Sequence, residues 1–335
     1  MIKAWGSELW SGVNSGLRWA GRRGWIVPTR LPCRVISVGN IEAGGTGKTP
    51  LVARIAHEAA DRGLRVCVLT RGYGGNWEKT GGLLGPGLPA PLTTDCGDEP
   101  ALLRELAPQA WIAIGADRLA QFARLCTHLA SLSSGRSAME SVPPPGTGLA
   151  APAVAGPDLV ILDDGFQNRH IHKDVELVAL TSHAFGETWF RDRPSALDHA
   201  QILVWTKGET TPPGLPPGVP LVRAEFRVPP ETDPTARWLL VCGVGSPDLV
   251  IESARRAGYQ ILDHRFYTDH AAYEVAQVRD LLQEARGRNL KVAITGKDWV
   301  KWRDLGVARS EVTVWEPELV FSQGRADWER VLWGI

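Results

Sequence analysis

Cysteine is sparse in this chain and poorly placed for structural work. The five residues, Cys33, Cys67, Cys96, Cys126 and Cys242, are odd in number and never fall in C-x-x-C spacing. That excludes a disulfide framework and a zinc site of that type, and it reads as reduced cytosolic thiols. Neither sign of charge is in excess, since 37 Lys and Arg balance 37 Asp and Glu. There is therefore no overall basic field to hold a nucleic acid. Long apolar runs are missing as well. Glu8 interrupts the N-terminal stretch before a signal-peptide core forms, and residues 1–30 cannot supply the roughly 18 apolar residues of a membrane span. No internal repeat is convincing. What is present is the composition of a folded α/β protein: 335 residues, 44% hydrophobic and 22% charged, enough for two domains or one large domain with additions.

The most informative stretch is residues 35–50, VISVGNIEAGGTGKTP. The β-branched run Val35-Ile36-Ser37-Val38 predicts a buried parallel strand. It empties into Gly44-Gly45-Thr46-Gly47, and Lys48-Thr49 opens a helix through about residue 62. Glycines let backbone N–H groups curl around oxyanions, the helix N-terminus adds partial positive charge, Lys48 adds a full one, and the Thr49 hydroxyl suits Mg²⁺. The strict G-x-x-x-x-G-K-[ST] pattern wants glycine at position 42, where this chain has Glu42. The stretch nevertheless reads as a nucleoside triphosphate site.

Around it the chain alternates strand and helix. Strands are expected at 65–69, 111–115, 158–162, 175–180, 202–206 and 221–226, and helices at 101–106 and from 117. Residues 131–157, rich in Ser, Pro, Gly and Ala, interrupt the pattern as a mobile surface insertion. A second alternation begins beyond 237, with strands at 239–241, 259–262, 291–295 and 312–315 and helices near 249–257 and 271–285. It places a smaller α/β domain at 230–335. At the N-terminus Trp5, Leu9, Val13 and Leu17 recur at helical spacing with Trp10 beside them, and Lys3, Arg18, Arg22 and Arg23 flank the stripe. Residues 1–30 thus read as an amphipathic helix, suited equally to a lipid interface and to the protein's own core.

Several polar residues carry chemistry in this reading. The apolar strand at 158–162 ends in Asp163-Asp164, placed to bind Mg²⁺ opposite Thr49. Asp98-Glu99-Pro100 has the form of a helix start, and Asp98 also sits where a carboxylate can reach an acceptor hydroxyl. His264 follows a strand of the second domain. His170 and His172 are read as surface residues.

The runs GNIEAGGTGKTP, TRGYGG, GDEP, DDGFQNRH, FRDRPSAL, CGVGSPD, LDHRFYTD and TGKDWVKW, in order over residues 1–302, resemble the tetraacyldisaccharide 4′-kinase family. The resemblance implies a P-loop NTPase-like, mostly parallel sheet with helices on both faces over 31–229. It adds a smaller C-terminal α/β domain that closes the active-site cleft and an N-terminal membrane-associating helix. It implies an ATP- and Mg²⁺-dependent kinase that phosphorylates the 4′-hydroxyl of a lipid A precursor, a tetraacyldisaccharide 1-phosphate, to give lipid IVA. Such an enzyme sits peripherally on the cytoplasmic face of the bacterial inner membrane, with a glycolipid substrate and no nucleic-acid or protein partner. By the same resemblance the nucleotide loop is Glu42, Ala43, Gly44, Gly45, Thr46, Gly47, Lys48 and Thr49. The metal residues are Thr49, Asp163 and Asp164, with Glu99 assisting. Asp98 is the base and His264 its partner across the cleft, while Lys48 serves the transferred phosphate. Arg71, Arg118, Gln167 and Arg191 line the site or meet the lipid phosphate.

The chain departs from the family pattern at Thr70, Asp192, Arg265 and the 131–157 insertion. Two other readings are weaker. In a P-loop GTPase, Thr206-Lys207-Gly208-Glu209 would stand for an N-K-x-D guanine reader, but asparagine is missing and Glu is one methylene longer than Asp. A non-catalytic nucleotide-binding scaffold would release no ADP with any glycolipid.

Overall fold

The computed structural model describes residues 2–133 and 156–335, the side chains of residues 2–5 and 22 excepted. In chain order the elements are α1 (Ile2–Arg22), β1 (Arg34–Asn40), α2 (Lys48–Asp61), β2 (Val66–Thr70), α3 (Trp77–Thr80), β3 (Gly82–Leu84), α4 (Thr93–Cys96), α5 (Asp98–Leu106), β4 (Trp111–Ile114) and α6 (Arg118–Ser133). After the insertion come β5 (Leu159–Asp163), β6 (Val175–Thr181), β7 (Ile202–Lys207), β8 (Leu221–Arg227), β9 (Arg237–Cys242), α7 (Pro247–Arg256) and β10 (Gln260–Phe266). The chain ends with α8 (Val275–Gly287), β11 (Lys291–Thr295), α9 (Gly296–Asp304), β12 (Thr313–Trp315), β13 (Glu318–Gln323) and α10 (Arg325–Trp333). Of the expected insertion at 131–157, residues 131–133 finish α6, and 134–155 lie outside the described residues.

Nine strands form one sheet in the order β13-β8-β7-β6-β1-β5-β2-β4-β3, and β10-β9-β11-β12 form a second, all-parallel sheet. In the large sheet only the two edge pairs, β13 with β8 and β3 with β4, are antiparallel. β1 lies between β5 and β6, parallel to both. Its apolar residues serve two faces: Ile36 and Val38 join a cluster with Leu51 and Ile55 of α2, and Val35 joins one with Phe122 and Leu125 of α6. A strand covered on both sides reads as an unbroken apolar run, which is why 35–38 was conspicuous in the sequence. The mostly parallel sheet with helices on both faces is as expected.

The chain after residue 315 departs from expectation. β13 leaves the second sheet and pairs with β8, and α10 follows it back onto the large sheet. Trp328 and Leu332 are fully buried there. Glu58 of α2, itself buried, accepts from both Trp328 Nε1 and Trp333 Nε1 at 2.8 Å, and Arg54 Nε donates to its other oxygen at 2.5 Å. The span 230–335 is therefore not one structural unit, because its last 18 residues complete the phosphate-loop side. The pairing joins positions about 95 residues apart, and no local pattern announces it.

α1 is amphipathic, but it packs by its polar face. Ser7, Ser11, Asn14 and Arg18, spaced four, three and four residues apart, are buried, while Leu9, Trp10, Val13 and Leu17 are 69%, 57%, 57% and 42% exposed. The contacts run to residues 188–192: Phe190 N donates to Ser7 Oγ at 2.8 Å, Asn14 Nδ2 to the Arg191 carbonyl at 2.8 Å, and Arg18 pairs with the fully buried Asp192. Arg18 thus belongs to the packed face and not to the flank of the apolar stripe. The Trp5 side chain lies outside the described ones. No described helix is long and apolar enough to cross a membrane.

The Glu58 arrangement predicts that Trp328→Ala lowers unfolding stability by about 3–5 kcal/mol, as for other buried aromatic truncations. Urea denaturation checks this, and an unchanged midpoint would mean that the returning C-terminal segment adds nothing to the fold.

Candidate active site

The site is built at the carboxyl end of β1, between its parallel neighbours β5 and β6, in the usual crevice of an open α/β sheet. Val38 stands in register with Asp163 of β5, and Gly165 N–H donates to the Val38 carbonyl. A Cβ on Gly39 would come within 2.6 Å of the Phe166 backbone nitrogen, so only glycine lets the two turns close together. The loop then turns into α2 through Gly47, whose φ of 77° is left-handed and whose hydrogen faces the Phe226 ring. Pro50 sits in the first helical turn, where its missing N–H costs nothing. Thr46 pins the loop from two sides: its hydroxyl accepts from Asn40 Nδ2 at 3.0 Å, and its carbonyl accepts from Thr206 Oγ1 at 2.9 Å.

Gly44, Gly45, Thr46, Gly47, Lys48 and Thr49 line the cleft, as the loop pattern required. Glu42 and Ala43 do not. The Glu42 carboxylate turns away and is buried, accepting from Thr181 N at 2.8 Å and Thr181 Oγ1 at 2.6 Å. The Ala43 N–H donates to the Trp189 carbonyl at 2.6 Å and is not free to meet a phosphate. The departure from the glycine pattern is thereby explained: position 42 is a bolt between the loop and β6, and it has no part in the cradle.

The acids follow β5. Thr70 Oγ1 donates to Asp163 Oδ2 at 2.8 Å. Burial, then the nearby charges of Glu99 and Asp164, push the Asp163 carboxyl up to about 7. Asp164 takes an unusual left-handed φ of 50°. Burial would raise its pKa as well, but Lys48 and Arg191 outweigh that and hold it below the usual carboxylate range. Arg191 Nη1 donates to its Oδ2 at 2.7 Å, and Lys48 Nζ stands 3.5 Å from Oδ1, an ion pair not closed into a hydrogen bond. Crowded carboxylates with one raised pKa and one open oxygen fit a divalent cation. Among the described residues no three side chains form a closed metal cage.

Asp98 and Glu99 occupy the first turn of α5, where they complement the helix dipole, and Glu99 lines the cleft. Asp98 does not meet His264. β10 extends through Phe266, which leaves His264 exposed within an edge strand, its ring 4.4 Å from that of Phe266. The residue against Asp98 is His270, in the loop after β10, with Nδ1 3.3 Å from Asp98 Oδ2. Lys301 of α9 lies 3.2 Å from the same oxygen. Lys297 donates to Asp269 Oδ1 at 2.5 Å and stands 3.2 Å from His270 Nε2. With an ammonium donor at Nε2, the imidazole carries its proton on Nδ1 and donates it to Asp98. Sequence reasoning missed His270, Lys297 and Lys301. The available signal was Asp269-His270, an acid and an imidazole side by side in a loop beyond a strand.

Arg71, Arg118, Gln167 and Arg191 all line the same cleft. Arg71 Nε donates to Glu78 at 2.6 Å. Burial lowers the Arg118 pKa against the opposing pull of Asp163 and Asp164, and its Nε has no partner. Gln167 Nε2 donates at 3.0 Å to both the Asn40 carbonyl and Asp192 Oδ2, which ties the cleft floor to the anchor of α1. Asp192 and Arg265, two of the departures, have structural partners: Asp192 holds Arg18, and Arg265 pairs with Asp263 and Glu284. The cleft measures about 1370 Å³ and has walls from both sheets, with Trp10 and Asn14 of α1 at its rim. One small ligand fills roughly 300–1,000 Å³, so this space takes a nucleotide and part of a second substrate together.

The family model described as LpxK, tetraacyldisaccharide-1-P 4′-kinase, matches residues 7–333. A tetraacyldisaccharide 4′-kinase of Pelobacter propionicus is 31% identical over 296 residues, covering 81% of this chain and 74% of the relative. One from Geobacter metallireducens is 32% identical over 289 residues, covering 80% and 78%. A crystal structure of LpxK from Aquifex aeolicus in complex with ATP superposes with a TM-score of 0.72, covering 98% of this chain and 96% of that one. At 21% identity, that likeness speaks for the fold. The phosphate loop, the paired acids and the two-sheet cleft thus stand in a chain whose sequence matches one family over nearly its whole length, and the chain belongs to the tetraacyldisaccharide-1-phosphate 4′-kinases.

Proposed function

We propose that this chain transfers the γ-phosphoryl group of ATP to the 4′-hydroxyl of a tetraacyldisaccharide 1-phosphate, giving lipid IVA in lipid A biosynthesis. The observation that carries the reading is the convergence of the phosphate loop, the acids at 163–164 and His270, itself held by Asp98, on a single cleft. Phosphoryl transfer asks the protein mainly for positioning and charge stabilisation. Loop N–H groups and Lys48 hold the β- and γ-phosphates, and Arg191, fixed on Asp164, adds positive charge beside them. Mg²⁺, when bound, neutralises charge developing between the phosphates, and Asp163, Asp164, Thr49 and Glu99 are the residues that would hold it. The Asp98–His270 pair takes the proton of the attacking hydroxyl: the hydroxyl displaces Lys297 from His270 Nε2 at the cleft wall, and Asp98 holds the ring through Nδ1. Arg71, Arg118 and Gln167 line the remaining floor and receive the sugar and its anionic group.

Peripheral attachment to the cytoplasmic face of the inner membrane belongs to the same proposal. The exposed Leu9, Trp10, Val13 and Leu17 form an apolar face beside the cleft mouth, where Trp10 meets the rim. Placing such side chains in lipid stabilises attachment by roughly 1.5–3 kcal/mol each when fully buried. Acyl chains held in the bilayer then leave the sugar at the opening.

The reaction is tested by following labelled phosphate from ATP to a monophosphorylated acylated disaccharide. Wild-type protein with Mg²⁺ transfers label, and a folded Lys48→Ala variant loses at least about a hundredfold in kcat. Normal turnover in that variant would contradict the assignment. Membrane attachment is tested by vesicle flotation of a variant with Leu9, Trp10, Val13 and Leu17 all changed to Ser. These side chains are exposed, so the prediction is unchanged thermal stability with lost flotation; a variant that floats as well as wild type would refute the lipid-facing role.

A further inference from the structure

Thr206-Lys207-Gly208-Glu209 is a sequence motif that the mechanism above leaves unused. It closes β7 and lines the cleft opposite the phosphate loop. The turn is rigidly held. Thr206 Oγ1 binds the Thr46 carbonyl, Ser182 N donates to the Lys207 carbonyl at 3.1 Å, and Trp205 Nε1 donates to the same carbonyl at 2.7 Å. Gly208 has a left-handed φ of 92°, and Arg223 Nη2 donates to its carbonyl at 2.8 Å. Arg223 is in turn stacked 3.8 Å from the Trp205 ring centre, and its Nη1 is buried without a partner.

This frame aims the Lys207 side chain at the loop. A Cβ built on Gly45 would lie 3.6 Å from the Lys207 ammonium, the one group within 4 Å of that position among the described residues outside the glycine's own chain neighbours. The Lys207 side chain is half-buried, and among the described residues its ammonium has neither a hydrogen-bond acceptor nor an ion-pair partner. Its nearest acids, Glu42 behind the loop and Asp269 across the cleft, act on it only from a distance, while burial lowers its pKa. A cation held out of water with no anion of its own needs one supplied. The neighbouring loop is where an anionic ligand would lie.

We propose that the turn 206–209 is a second wall of the nucleotide site, with Lys207 in direct contact with the phosphate–ribose oxygens of the bound nucleoside triphosphate. This rests on the kinase reading above and adds a cation to it. Lys48 enters from the helix side of the loop and Lys207 from the β7 side, so the nucleotide is gripped between them. Glycine at 45 leaves the space between the loop and the ammonium open, where a Cβ would stand in ordinary contact at 3.6 Å from Lys207 Nζ.

The test is nucleotide affinity by calorimetry for wild type, Lys207→Met and Lys207→Arg, together with steady-state kinetics. Losing one charge-assisted contact predicts about 10- to 100-fold weaker ATP and ADP binding in Lys207→Met, with the KM for ATP raised in step. Lys207→Arg should recover most of the affinity. A second measurement needs no variant: acetylation of Lys207 in wild-type protein, read by peptide mass spectrometry, should be suppressed by ATP. An unchanged Kd in folded Lys207→Met, or acetylation indifferent to ATP, overturns the proposal. Wild-type protein that binds no ATP would instead sink the kinase reading, so the two failures are distinct.

Discussion

The working geometry depends on a clasp between the two sheets. Asp98, at the start of α5, faces Lys301 of α9 and His270 of the loop after β10, all within 3.3 Å of one carboxylate oxygen. Lys301 is itself buried, so removing Asp98 would strand a charge as well as a ligand. Around the clasp, α5 packs on α9, and a continuous apolar cluster runs from Leu103 to Trp299 and Trp302. The second sheet is thus tied to the first at the point where an acceptor hydroxyl would need a proton acceptor.

Behind the clasp the cleft is a problem of charge balance. Three carboxylates, Asp163, Asp164 and Glu99, crowd one side, and burial leaves Asp163 poorly disposed to ionise. Lys48 and Arg191 answer Asp164, while Arg118 and Lys207 remain without hydrogen-bonded acid partners on the cleft wall. Such a set is suited to receive a polyanion and its cation together. Glu42 keeps its negative charge out of this arrangement by turning onto Thr181. That is how an acidic residue stands where the loop pattern asks for glycine without repelling phosphate.

Local patterns made the first half of the molecule legible. A β-branched run, a glycine turn and a Lys-Thr helix start lie within 16 consecutive residues, and each follows from short-range rules. Asp163 and Asp164 were found the same way, from an apolar strand ending in acid. α9 escaped because its charged GKDWVKWRD composition hides Trp299, Lys301 and Trp302, which are buried only by tertiary packing. β13 and α10 escaped because their partners, β8 and Glu58, are distant in sequence. His264 was read as following its strand, but β10 runs on through Phe266 and His270 lies beyond it, and strand ends are poorly marked by composition. The N-terminal stripe was recognised correctly, but its orientation depended on Asp192, whose buried partner is Arg18.

In the proposed mechanism Asp98, from α5 beside the large sheet, and His270, from the loop after β10 of the second, act as one unit. A double-mutant cycle on phosphate transfer, using Asp98→Asn, His270→Ala and the pair, with His264→Ala alongside, measures this most directly. Each single change at 98 or 270 should lower kcat by about a hundredfold or more, the double should cost little beyond the worse single, and His264→Ala should remain near wild type. Strictly additive losses at 98 and 270, or a His264→Ala enzyme as impaired as His270→Ala, would contradict it.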